Sequence, residues 1–130
     1  AAIDSGVPEA KASAAFAAGR WADAEAQYTE LGRRRPEIRG VAWRLGLAQL
    51  ANGHALAALA SFDRAKALGQ GGARDIGLPA TRAALRAGRM DRAVEWVRWA
   101  LERFPRIRGE IAADPELAKL LEDPKVTSDQ

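Results

Sequence analysis

The chain has 130 residues, 48% of them hydrophobic and 28% charged, with 20 basic against 17 acidic side chains and a formal net charge of +3. That is enough for one folded domain with a real core, and its balance is only mildly basic. No cysteine is present, which excludes a disulfide framework and any thiolate metal site, and no apolar run approaches the roughly 20 residues of a membrane-spanning helix.

Ala1-Ala2-Ile3-Asp4 would suit the mature start left by export-signal removal, or a cut from something longer. The compartment therefore stays open between cytoplasm and export. In chain order, hydrophobic periodicity predicts helices at about residues 8–18, 21–34, 38–52, 55–68, 76–87 and 91–104. The helices pair around Gly19-Arg20, Gly53-His54 and Gly88-Arg89, with steps of 34 and 35 residues between the glycines. The second helix of each pair repeats as well. Ala24, Tyr28, Leu31 and Pro36 recur as Ala58, Phe62 and Ala65, and again as Ala93, Val97, Ala100 and Pro105. Self-similarity at this period is the mark of a stacked array, in which neighbouring hairpins bury what one hairpin cannot.

Each turn glycine can end its helix in a left-handed conformation, and Asp23 and Asp91 bring negative charge to the first turn of the next. Gly46 and the repeated alanines mark close helix approaches, while Tyr28, Phe62 and Val97 fill the gaps between pairs. Gly69 to Arg74 is the widest connection, and Pro79 is expected in the first turn of its helix. After Pro105 the repeat stops. Asp114-Pro115-Glu116 looks like an N-cap and N1 proline opening a short helix with Leu117, Leu120 and Leu121 on one face. This cap, about residues 108–123, is expected to lay Ile107, Ile111, Leu117 and Leu121 over the last hairpin, Trp96 and Trp99 included. The tail 124–130 reads as polar and loose.

The pattern resembles the tetratricopeptide repeat. The middle copy fits best, with Leu45-Gly46, Gly53, Ala58, Phe62 and Ala65; the first has Lys11-Ala12 and the third Ala80-Thr81 in place of Leu-Gly, and Gln70 stands where the second copy's closing proline would be. About residues 5–105 are covered. The resemblance implies an all-α tetratricopeptide-like helical-hairpin solenoid: a single domain over 1–130, with repeats at about 5–38, 39–73 and 74–107 and a C-terminal capping helix.

It also implies a non-catalytic protein-protein interaction module that binds a peptide or helix in a concave groove lined by the first helices. The inward positions give that groove a floor of Phe16, Trp43, Leu47, Leu50, Leu78 and Leu85, with Arg82 and Arg86 at one end. The partner expected is a protein or peptide with apolar anchors and an acidic group, which the guanidinium forks can orient. Glu9, Ser13, Trp43 and Leu47 depart from the family's chaperone-tail clamp. Two alternatives are an accessory or regulatory domain of a larger bacterial enzyme chain and a self-association module, the latter because Phe16 stands among alanines on the uncapped first helix.

Other chemistries find little support. Arg33-Arg34-Arg35 and Arg39 are the densest basic cluster, read as a solvated helix C-terminus rather than a nucleic-acid surface. His54 sits alone in a turn, no serine has a base at a recognisable spacing, and no paired histidines suggest a metal. Gly69-Gln70-Gly71-Gly72 lacks the Lys-Ser/Thr ending of a phosphate loop, so neither a catalytic residue nor a cofactor is predicted.

Overall fold

The structure is a computed structural model that describes residues 7–127. Among these the chain is helical without strands: α1 (Val7–Ala17), α2 (Trp21–Arg34), α3 (Val41–Ala51), α4 (Ala55–Ala67), α5 (Ala73–Arg86), α6 (Met90–Arg103) and α7 (Ile107–Ala113), then a 3₁₀ turn (Ala118–Glu122) and α8 (Pro124–Thr127). Successive helices pack as pairs, α1 with α2, α3 with α4 and α5 with α6. Two compact units result, one ending at Gln70 and the other starting at Gly71. The N-terminal tetrapeptide and Ser128-Asp129-Gln130 lie outside the described residues.

The three hairpins turn in the same way. Gly19, Gly53 and Gly88 have φ of 73°, 82° and 74°. In each turn the following residue's N–H reaches back five positions, Arg20 to the Ala15 carbonyl, His54 to Gln49 and Arg89 to Ala84, at 2.9, 2.8 and 2.8 Å. The glycine N–H reaches back three, to Phe16, Leu50 and Leu85. This pair of bonds satisfies carbonyls that the ended helix would leave bare. The carbonyls of Arg20, His54 and Arg89 then accept from Ala24, Ala58 and Ala93 and start the next helix. A Cβ at Gly53 would meet nothing within 4 Å, so Gly53→Ala isolates the backbone cost of positive φ. It is expected to destabilise by about 1 kcal/mol in urea unfolding. Unchanged stability would show that the turn can relax without its glycine.

Burial follows the repeat. Ala24, Ala58 and Ala93 are fully buried, as are Phe62 and Val97, with Tyr28 close behind. In the first unit Ala12, Ala15, Leu31, Val41 and Ala48 join Ala24 and Tyr28 in one core. The close approach of α3 and α4 is made possible by Gly46, whose Cβ would lie only 2.8 Å from the Phe62 ring.

Three elements differ from the sequence expectation. α3 begins at Val41 rather than near 38, behind Gly40 in the left-handed region. α5 begins at Ala73 rather than near 76, because Gly72 has extended φ and ψ and donates its N–H to the Asp75 carboxylate at 3.3 Å, closing the N-terminus early. Pro79 therefore stands inside the helix rather than in its first turn, and the Asp75 carbonyl loses its i+4 donor. The C-terminal segment also differs: Ile107–Ala113 forms a helix of its own, and the run after Asp114 is 3₁₀ rather than α-helical. With three residues per turn, Leu117 and Leu120 share a face. Both are buried and Leu121 is only partly so. Ile107 and Ile111 are fully buried, α6 is contacted by α7 and α8, and Val126 is buried on α8. Pro124–Thr127 is thus a packed helical turn rather than part of a loose tail.

Candidate functional site

The eight residues expected to line a groove divide between the two units. In the first, Phe16 packs edge-on against Trp21 and Tyr28, with ring centroids 5.2 and 6.2 Å apart, and so belongs to its own hairpin's core. Burial there also holds the Tyr28 phenol above its ordinary range, against a lowering contribution from Arg44. Trp43, Leu47 and Leu50 lie at i, i+4 and i+7 on α3 and are partly buried. The Arg44 guanidinium covers the Trp43 ring at 4.8 Å.

In the second unit Leu78 and Leu85 are partly buried, and the two arginines already hold carboxylates. Arg86 makes two parallel bonds to Glu116, Nε to Oε2 at 2.8 Å and Nη2 to Oε1 at 2.9 Å. Arg82 donates through Nη1 to Asp114, and the same atom lies 3.6 Å from Glu116. The other oxygen of Asp114 accepts the N–H groups of Glu116 and Leu117 at 2.9 and 3.3 Å, which turns the chain into the 3₁₀ segment. The Arg86 bonds hold the Glu116 carboxyl below its ordinary range, against the cost of burial. For Asp114 burial pushes up most strongly, but the Arg82 bond and the two backbone donors together outweigh it and the pKa falls. The guanidinium forks expected to read a partner's acidic group are engaged by the chain's own Asp-Pro-Glu.

Two further features, both in the first unit, carry no signal in the sequence. Glu25 on α2 accepts from the Asn52 amide at 2.7 Å and lies 2.8 Å from His54 Nδ1, while Asn52 also donates to the Trp21 carbonyl at 3.0 Å. The lone histidine, predicted as a solvated turn residue, is thus tied to a carboxylate and braces the α3–α4 turn against the start of α2. Residues so far apart meet only through the packing of α2 on α3.

The second is a cleft of about 390 Å³ between α2, α3 and α4. Ile38, Val41, Ala42 and Leu45 form its apolar floor. Gly32 on α2 and Ala60 on α4 leave its walls low, and Leu68 stands at one end, 49% exposed. Arg33 and Arg64 bring a guanidinium from each wall, and no carboxylate lines the space. It lies on the side of α3 away from the Trp43 stripe. The arrangement can bury a small apolar group beside a negative charge.

Among the described residues no group of three or more histidines, aspartates and glutamates is placed to hold a metal ion, and no helix is long and apolar enough to cross a membrane. Comparison with protein-family models, with curated proteins and with solved structures finds no match to this chain.

Proposed function

We propose that the chain is a non-catalytic protein-protein interaction module of tetratricopeptide type, a helical-hairpin solenoid that receives a peptide or helix from another protein on the Trp43 face of α3. The observation that carries this reading is that α3 is apolar on two sides. One side closes the α3–α4 hairpin through Gly46, against the Phe62 ring, while Trp43, Leu47 and Leu50 form a separate, incompletely covered stripe. A rigid tryptophan flanked by two leucines at helical spacing is the kind of anchor on which binding energy concentrates. The thrice-repeated turn supports the tetratricopeptide reading, since identical hairpins at a fixed period are what a stacked array requires. Because Arg82 and Arg86 are engaged within the second unit, the apolar stripe carries the recognition in this proposal.

The test is photo-crosslinking from benzoylphenylalanine placed at Leu50, with and without Trp43→Ala and Leu47→Ser. Both replaced side chains are partly exposed, so the variants should melt close to wild type. A partner bound through this face should lose about 2 kcal/mol on removal of Trp43, more than tenfold in affinity. Equal crosslinking by all three proteins would sink the proposal. Crosslinking only between copies of the chain, with dimers in sedimentation, would replace it with self-association.

A further inference from the structure

We infer that the cleft between α2, α3 and α4 is a second binding site, independent of the Trp43 face, for an extended segment of a partner protein in which one aliphatic side chain is flanked by acidic residues. Its volume of about 390 Å³ falls at the lower end of the roughly 300–1,000 Å³ typical of ligand sites. The floor of Val41, Ala42 and Leu45 offers no polar atom to a ligand beyond the backbone, so the group seated there must be apolar.

Charge decides what surrounds it. Arg33 and Arg64 face the space from opposite walls and no acid lines it. Arg64 has no ion-pair or hydrogen-bond partner among the described residues. Arg33 is bound to Glu30 at 2.7 and 2.9 Å, but as an exposed i,i+3 pair that costs little to rearrange. An incoming carboxylate therefore meets one free guanidinium and one that can be shared.

The polar lining favours a peptide over a simple amphiphilic acid. Gln70 is buried and its side-chain oxygen is taken by the Gly40 N–H at 3.0 Å, which leaves its amide hydrogens as donors to a backbone carbonyl. Ser61 donates its hydroxyl hydrogen to Gln49, which leaves the oxygen as an acceptor for a backbone N–H. A donor and an acceptor beside an apolar floor match the edge of an extended chain. A fatty-acid carboxylate could accept from Gln70 but has no N–H to offer Ser61.

The probe is the blocked peptide acetyl-Gly-Glu-Leu-Asp-Gly-amide, titrated into the ¹⁵N-labelled protein and followed by amide chemical shifts. The expected result is saturable shifts at Gly32, Val41, Ala42 and Ser61. Affinity should fall about tenfold, or 1.4 kcal/mol, when Arg64→Glu reverses the free cation and when alanine replaces the peptide leucine. Arg64→Gln, which removes charge without adding an acid, guards against a misfolded reversal and should weaken binding in the same direction. The inference is overturned if shifts do not saturate, if they are insensitive to both Arg64 variants, or if octanoate binds as well as the peptide. Concentration-dependent shifts of these amides without peptide would place a second copy in the cleft and overturn it equally. Shifts confined to Trp43, Leu47 and Leu50 would also overturn it while leaving the Trp43-face proposal standing.

Discussion

Replacing Phe62 by alanine is expected to cost about 3–5 kcal/mol, a large share of the 5–15 kcal/mol by which a domain is typically stable. The ring is fully buried and lies against the one place on α3 where no side chain intervenes. Three of its carbons would stand 2.8, 2.9 and 3.0 Å from a Cβ at Gly46. Gly46→Ala alone should therefore destabilise by about 1–3 kcal/mol, although alanine is the better helix former by up to about 1 kcal/mol. The pair makes a sharper prediction than either change. Once Phe62→Ala has removed the obstruction, Gly46→Ala should cost nothing or stabilise, so the effects must fail to add by more than about 1 kcal/mol. Urea unfolding of the four proteins measures this, provided the m-values agree. Additive losses would mean that the two helices do not meet through this contact.

The small residue at Gly46 and the burial of Phe62 were legible in advance, but their contact was not: Phe62 was expected between pairs and instead meets Gly46 of its own hairpin. What repeats is the register. Ala24, Ala58 and Ala93 stand at one register and each is buried, and the turn glycines at 19, 53 and 88 all adopt positive φ. Three copies of one local solution let periodicity average out the noise that defeats a single-helix argument. The third hairpin shows the limit of that reasoning. Thr81 occupies the place of Gly46, is buried, and donates its hydroxyl to the Gly77 carbonyl at 2.7 Å. The tight approach has moved one turn back, to Gly77, whose Cβ would fall 2.7 Å from that of Ala100. Only the register of α5 against α6 reveals this, and the early start of α5 at Ala73 hides it further.

The candidate sites were less legible, for a physical reason. Trp43, Leu47 and Leu50 share one helix, so spacing alone put them on one face. The α2–α3–α4 cleft is lined from three helices, and its openness depends on the small size of Gly32 and Ala60, residues that carry no signal by themselves. Phe16 was placed in a groove by its inward register, but Trp21 and Tyr28 from the next helix offered it an edge-on contact closer to home. Arg82 and Arg86 were placed correctly on their helix, yet what they bind lies some 30 residues away in sequence, on a segment where the repeat no longer helps.

That segment supplies the second large effect. Asp114→Ala should destabilise by about 2–3 kcal/mol, because it removes an ion-pair partner and a turn-forming acceptor together. Side-chain exposures of 18% for Asp114 and 28% for Arg82 put the pair between surface bridges, worth about 0–1 kcal/mol, and buried ones, which cost about 3–5 kcal/mol to break. The bonds to the Glu116 and Leu117 amides add about 1 kcal/mol, as a lost cap does. Asp114→Asn keeps the turn and loses only the charge, so it should cost about half as much and separate the two contributions. The pH dependence has a definite sign. Asp114 and Glu116 both have lowered pKa values in the folded chain, so on acidification the unfolded chain takes up protons first. Their contribution is complete above the ordinary carboxylate range, about pH 4, and is lost as pH falls through that range to the lower folded values. Wild type should therefore lose stability steeply below about pH 5, and Asp114→Asn should show a shallower acid limb while matching wild type's slope near neutrality. An unchanged acid limb would mean that Arg82 and Asp114 contribute no more than an exposed pair. A variant at Arg82 reports on the cap before it reports on any partner, so binding is better tested at Trp43 and Arg64, where a lost side chain leaves no buried charge behind.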